Sequence, residues 1–151
     1  MAAILDQLDL VSQNMEVTIA FYRLLGAKIP KSAIWATESG AHHVTIPFKG
    51  GFSLAFDSPS LARVYNKGYR ATKSKRVNLD EGQVVIGFSV KTRRSVDETY
   101  AKLTQAGHRG VSTPWDAFWG SRYAIVADPD GNHVGIMSPV NPKKRSRPPS
   151  I

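Results

Sequence analysis

The chain has 151 residues, of which 42% are hydrophobic and 21% charged, and these are ordinary values for one soluble globular domain. It contains no cysteine, so disulfides and thiolate metal sites are excluded. The net charge is +8, but ten of the twenty basic residues lie either between Arg63 and Arg76 or between Lys143 and Arg147, and we therefore expect no specific nucleic-acid partner.

The N-terminal residues predict a strand that leads into an amphipathic helix. Gln7 and Asp9 alternate with leucines and therefore lie on the face of the strand opposite the apolar side chains. Asn14 can cap the helix that follows, and Gly26 suits its C-terminal end. The start has no basic segment before an apolar run, and no stretch reaches the roughly 18 apolar residues of a membrane span, so we expect a cytoplasmic protein without a signal peptide or membrane contact.

Three short strands are predicted next, at about residues 27–37, 41–47 and 51–57, and they complete a first βαβββ module over about residues 4–57. Their alternation leaves one apolar face and one face of smaller or polar side chains. A linker over 58–80, with a short helix near its start, leads to the second module.

The mixed face of the first module carries candidate polar groups. His42 and His43 are neighbours in one strand, so at most one of them lies on that face; His43 is our candidate, although parity alone leaves the choice open. Asp9 and Asp57 are the available carboxylates, but no Ser-His-Asp order or carboxylate pair stands out, so no catalytic residue is assigned. Trp35 lies in the second strand of this module.

The second module, over about residues 81–139, repeats the layout of the first. The stretches Gly51 to Pro59 and Gly131 to Pro139 both read glycine, six strand-like residues and Ser-Pro. An alternating strand precedes a helix, and Ser95 and Glu98 have the spacing of a capping box at its start. Three strands follow, at about residues 108–115, 121–127 and 132–138.

The turn before the last strand reads DPDGN and leads into the strand that carries His133 and Gly135. It starts like a calcium loop but lacks the downstream glutamate, so we predict a turn only. Residues 140–151 hold four basic residues and several prolines without periodicity, which predicts a disordered basic tail.

Aromatic residues crowd the segment before this turn. Trp115, Phe118 and Trp119 lie close together in the sequence, and Tyr123 follows in the next strand. Aromatic side chains at the mouth of an apolar pocket stack on planar ligands, and each stacked pair contributes about 0.5–1.5 kcal/mol beyond burial. Packing in the core or at a subunit contact is the alternative role for each tryptophan.

These features resemble the vicinal oxygen chelate superfamily, which includes glyoxalase I, extradiol dioxygenases and bleomycin resistance proteins. The resemblance covers about residues 4–139 and rests on the strand before NMEVTIAFYRLLG, on the second βαβββ unit and on FWGSRYAIVADPDGNHVGI. It implies an α+β fold in one domain over residues 1–139, with two tandem βαβββ modules that form a curved sheet around a cleft and helices on the convex face. A homodimer is common in this superfamily and is expected here.

Metal-dependent members of that superfamily carry ligands on the first and last strands of each module. The resemblance puts Gln7, Ala55, Val85 and Gly135 at these places, and only the glutamine side chain has a donor atom. A divalent cation needs several oxygen or nitrogen donors to replace its water shell. We therefore predict no metal and no other cofactor.

The preferred hypothesis is a metal-free small-molecule-binding protein that holds a planar or amphipathic ligand, aromatic and neutral or anionic, in an aromatic-lined cleft. Drug sequestration, as in the bleomycin resistance branch, is one version of it. The alternative is a glyoxalase-like lyase or isomerase, or a dioxygenase-like enzyme, with a divalent metal relocated to His42 or His43, His133 and Asp57. A third reading makes the basic linker and tail a docking site for an acidic partner or for nucleic acid. The candidate ligand-binding residues are Gln7, Asp9, Trp35, His43, Asp57, Trp115, Phe118, Trp119, Tyr123 and His133.

Overall fold

Two four-stranded sheets organise the chain, one in each half. The computed structural model describes residues 5–69 and 84–150, and the chain divides into two units between Arg76 and Val77. The end of the predicted linker, with the basic residues Arg70, Lys73, Lys75 and Arg76, lies outside the described residues. Each unit contains the series of one strand, one helix and three further strands, so the predicted α+β fold of two βαβββ modules is confirmed. Within the described ranges, no helix is long and apolar enough to cross a bilayer.

Module one has a mixed sheet of order β1-β4-β3-β2, in which β1 runs parallel to β4 and the other neighbours are antiparallel. Its elements are β1 (Gln7–Val11), α1 (Met15–Leu25), β2 (Ile34–Thr37), β3 (Gly40–Pro47), β4 (Ser53–Asp57) and α2 (Pro59–Tyr65). The second strand is shorter than predicted because Lys31–Ala33 form a 3-10 turn ahead of it. The short helix predicted at the start of the linker is confirmed as α2.

The first helix begins and ends where its local sequence predicts. The Asn14 side chain accepts the backbone N–H of Val17 at 3.2 Å, and Gly26 ends the helix with a φ of 114°, which suits glycine because it has no Cβ. The buried Tyr22 ring lies 4.6 Å from the ring of Phe56 in β4. This contact fixes the apolar face of the module one sheet against α1 and leaves the opposite face for polar side chains.

Module two repeats this topology with the order β5-β8-β7-β6 and the parallel pair β5–β8. Its elements are β5 (Val85–Ser89), α3 (Arg93–Gln105), β6 (Gly110–Asp116), β7 (Arg122–Ala127) and β8 (His133–Met137). Helix α3 packs on β6, β7 and β8, with Leu103 fully buried. The Arg122 guanidinium ties the helix to the sheet, since it donates to Asp97 of α3 at 2.7 Å and to Asp116 of β6 at 2.9 Å.

The start of α3 corrects one prediction. Thr92, not Ser95, is the N-cap residue, and its hydroxyl accepts the backbone N–H of Ser95 at 3.0 Å. The predicted capping box of Ser95 and Glu98 is therefore wrong: the helix begins one turn earlier, and Glu98 pairs with Arg94 on the exposed surface at 2.7 Å. Two hydroxyl residues three positions apart both suit a cap, and spacing alone does not decide between them.

We expect Thr92→Ala to lower the free energy of unfolding by about 1 kcal/mol, because the N–H of Ser95 loses its acceptor. The matched control is Glu98→Ala, which removes only an exposed pair and should cost about 0.5 kcal/mol or less. Urea denaturation followed by circular dichroism measures both. An equal loss in the two variants would contradict the Thr92 cap.

The segment after β8 makes backbone hydrogen bonds to the loop before β7. The Asn141 N–H donates to the Gly120 carbonyl at 3.1 Å, and the Ser146 N–H donates to the Phe118 carbonyl at 2.9 Å. A Cβ on Gly120 would lie 2.5 Å from the Asn141 carbonyl oxygen, so the chain approaches this loop closely. Residues 141–146 therefore make backbone hydrogen bonds within module two that composition does not predict.

Candidate functional site

One face of the module one sheet carries a row of polar side chains. The register pairs Asp57 of β4 with His43 of β3, and the next row on the same face holds Asp9 of β1 and Thr45 of β3, one on each side of Ala55. Directly paired residues lie on the same face of a sheet. The four polar side chains therefore lie on the face opposite α1.

Asp57 is the centre of this polar row and is only 2% exposed. One carboxylate oxygen lies 2.6 Å from His43 Nδ1, and the other accepts the Tyr65 hydroxyl at 2.6 Å. The second ring nitrogen of His43, Nε2, lies 2.7 Å from Thr45 Oγ1. A continuous chain of hydrogen bonds thus runs from Thr45 through His43 to a buried carboxylate.

The pKa values on this face reflect the two neighbouring carboxylates. Burial raises the pKa of Asp9, the Asp57 carboxylate raises it further, and His43 opposes both effects. The Gln7 amide donates to Asp9 at 2.5 Å. The hydrogen bond to Asp57 raises the pKa of Tyr65, so this phenol is a donor at neutral pH.

The structure places His43, and not His42, beside Asp57. Both ring nitrogens of His42 have hydroxyl partners, with Ser58 at 3.0 Å and Thr37 at 2.8 Å. Trp35 is exposed, and its ring centroid lies 5.3 Å from that of His42. Of the predicted residues in this module, Gln7, Asp9, His43 and Asp57 are therefore brought together. Trp35 is the register partner of His43 in the β2–β3 pair, but its ring contact is with His42.

Module two holds a connected cluster of aromatic rings. Trp119 lies at its centre, with ring centroids 5.5 Å from Trp115, 5.1 Å from Phe118 and 5.6 Å from Tyr123. All three contacts are edge-on, a favourable geometry for aromatic pairs. The structure thus brings together all four aromatic residues that the sequence singled out in this module, and Trp115 remains exposed.

The space above Gly135 is filled by a tyrosine. A Cβ built on Gly135 would lie 2.5 Å from the Tyr123 hydroxyl and 3.1 Å from two of its ring carbons. Burial raises the pKa of Tyr123, so its phenol is neutral at physiological pH. The position that lacks a side chain on β8 is therefore occupied from the neighbouring strand β7.

His133 lies on the same face of β8 as Gly135 but is only 7% exposed. The preceding DPDGN segment is a turn, as predicted. The Asp128 side chain closes it by accepting the backbone N–H groups of Asp130 at 3.0 Å and Asn132 at 2.9 Å. Its carboxylate is therefore used by the turn itself.

The donors in this chain do not fit the metal of the vicinal oxygen chelate superfamily. Of the four places that the resemblance assigns to ligands, Ala55, Val85 and Gly135 offer no donor atom, and Tyr123 occupies the side-chain space at Gly135. Over residues 5–69 and 84–150, no group of three or more histidine or carboxylate side chains could hold an ion. The chemistry available here is hydrogen bonding, proton transfer and aromatic stacking.

Two residues of the polar row were missed in the sequence. Thr45 has the parity of His43 on the same strand, which was a usable signal. Tyr65 gave no such signal, because it reaches Asp57 from the last residue of α2 and only the packing of that helix brings the two together.

Comparisons with known proteins agree with this architecture. Residues 4–136 match the model of the Glyoxalase/Bleomycin resistance protein/Dioxygenase superfamily. A hypothetical protein from S. aureus has a solved structure with a TM-score of 0.66 at 22% identity, and the match covers 92% of this chain and 95% of that chain. A glyoxalase/bleomycin resistance protein/dioxygenase family enzyme from Burkholderia phytofirmans PsJN gives 0.65 at 15% identity, over 90% of this chain and 98% of that chain. At these identities the likeness shows the fold alone.

A sequence relative adds little about activity. An uncharacterized protein of Mycobacterium tuberculosis (strain ATCC 25618 / H37Rv) is 39% identical over 49 residues, which is 32% of this chain and 29% of that protein. The match thus spans about a third of the length of the curated relatives.

Proposed function

Because the chain belongs to the glyoxalase/bleomycin resistance protein/dioxygenase superfamily, we propose that it is a small-molecule-binding protein that works without the superfamily's metal. Its ligand is planar or amphipathic, aromatic and neutral or anionic. The observation that carries this proposal is the Tyr123 phenol above Gly135, which puts an aromatic ring where a metal ligand would stand.

The aromatic cluster supports recognition by stacking. Trp115 presents exposed ring surface, and Trp119 holds it through an edge-on contact at 5.5 Å. A ring that is already held in place loses little conformational entropy when a ligand stacks on it.

Drug sequestration is one version of this function. The homodimer and the cytoplasmic location stay predictions. The lyase or dioxygenase alternative needs a relocated metal. His43 and Asp57, two of its proposed ligands, already hydrogen-bond each other through Nδ1 and Oδ1. Binding without a metal is therefore the function that we favour.

A fluorescence titration tests the proposal. We expect 1-anilinonaphthalene-8-sulfonate, a planar anion, to quench the tryptophan emission of the protein. Trp115→Ala should weaken this binding about tenfold, because a stacked pair and its buried area are worth roughly 1.4 kcal/mol. The matched control is Phe48→Ala, which removes another exposed aromatic side chain outside the cluster and should leave the affinity unchanged. Equal effects in both variants, or no binding to the wild type, would overturn the proposal.

A further inference from the structure

The hydrogen bonds in the polar row of module one all run in one direction, from donor to acceptor toward Asp57. An ionised carboxylate only accepts hydrogen bonds, so Asp57 must receive the Nδ1–H of His43 on one oxygen and the Tyr65 hydroxyl proton on the other. This requirement fixes the neutral imidazole as the Nδ1–H tautomer. Its Nε2 then carries a lone pair, and the Thr45 hydroxyl must donate to it.

The chain of donors ends at an open acceptor. The Thr45 hydroxyl donates its only hydrogen bond to His43 and keeps an oxygen lone pair. Both residues remain partly exposed on the sheet face. Every bond in the chain points toward Asp57. A ligand group that extends it must therefore donate a hydrogen bond to Thr45 Oγ1, and a group that can only accept leaves the chain unextended.

We infer that Thr45, held by His43 and Asp57, is a subsite that recognises a hydroxyl donor on a small-molecule ligand. This inference goes beyond the proposed function: it names a hydrogen-bonding subsite on module one for a planar compound with a phenol or enol O–H, and it does not require that this compound also stack on the aromatic cluster. Neither His43 nor Asp57 touches the ligand; both are positioning residues that orient the Thr45 hydroxyl.

Calorimetry with a matched pair of ligands tests the inference. At pH 8 we expect 2-naphthol, which is a neutral donor there, to bind about tenfold more tightly than 2-methoxynaphthalene, which has the same rings but no O–H. Thr45→Val should bring the ratio to about one, while Thr45→Ser should preserve it. His43→Ala removes the acceptor that orients the Thr45 hydroxyl and should lower the ratio.

The sequence neighbour provides the control. His42→Ala alters a histidine whose nitrogens bind other hydroxyls, so the ratio should not change. Equal affinity of the wild type for both naphthalenes would overturn this inference and leave the proposed function standing. Failure of both naphthalenes and of 1-anilinonaphthalene-8-sulfonate to bind would overturn both.

Discussion

Gly135→Ala should destabilise the protein by about 2 kcal/mol, because the new methyl group overlaps the Tyr123 side chain. The added Cβ would lie 2.5 Å from the tyrosine hydroxyl, a distance that real Cβ atoms essentially never show. The ring cannot move aside freely, since it is half-buried and in edge-on contact with Trp119 at 5.6 Å. We expect the melting temperature to fall by roughly 4–8 °C in a thermal unfolding experiment.

The neighbouring strand supplies a matched control. Gly87 of β5 is the register partner of Gly135, yet a Cβ built on it meets no atom within 4 Å. Gly87→Ala should therefore be neutral or slightly stabilising, because alanine reduces the entropy of the unfolded chain. A similar loss of stability in both variants would mean that alanine is disfavoured in these strands generally, and that Tyr123 does not fill the space above Gly135.

A double variant locates the cause of the loss. In Gly135→Ala/Tyr123→Leu the hydroxyl and ring carbons that meet the new methyl group are gone. The two substitutions should then cost less together than the sum of their separate effects, with a coupling of about 1 kcal/mol or more. The Tyr123→Leu substitution also removes the aromatic ring that occupies the place of a metal ligand.

Periodicity predicted most of the fold and only part of the site. Alternation along the strands, together with the repeated Gly-to-Ser-Pro segment, was enough for two βαβββ modules, since both signals are local. The vacancy at Gly135 was also visible in the sequence. Its occupant was not, because Tyr123 reaches it across the β7–β8 pairing, where Gly135 pairs with Ile125 and Tyr123 pairs with Met137.

The choice between His42 and His43 illustrates the same limit. Parity requires that two adjacent strand residues point to opposite faces, but it does not say which face meets Asp57. The pairing of β3 with β4 decides this by placing Asp57 opposite His43. The backbone contacts of residues 141–146 were missed for a related reason: their partners are backbone carbonyls at 118 and 120, and composition carries no information on such contacts.

Asp57→Ala should lower the free energy of unfolding by about 2–4 kcal/mol, the second large effect that we expect. The substitution removes two hydrogen bonds to a buried charged group and leaves the His43 Nδ1–H and the Tyr65 hydroxyl without their acceptor. The substitution also removes the free-energy cost of desolvating the carboxylate, and this offsets part of the loss. Asp57→Asn should cost less, because its carbonyl can accept from His43 while Tyr65 rotates its hydroxyl to accept from the amide.

Asp9 lies on the same sheet face as Asp57, but its replacement should raise the free energy of unfolding, whereas replacement of Asp57 lowers it. Its pKa is raised by burial and by Asp57, so the folded state disfavours the Asp9 carboxylate, and this unfavourable effect is present above the pKa of the folded state. Asp9→Asn should therefore stabilise the protein at pH 7 by a few tenths of a kcal/mol, because the site is partly exposed and screened. The gain should vanish as the pH falls through the range in which aspartate is protonated.

Urea denaturation of both variants at pH 7 and at pH 4 measures this contrast. A loss of stability in Asp9→Asn that matches the loss in Asp57→Ala would show that the two carboxylates support the fold equally, contrary to the hydrogen-bond pattern around Asp57.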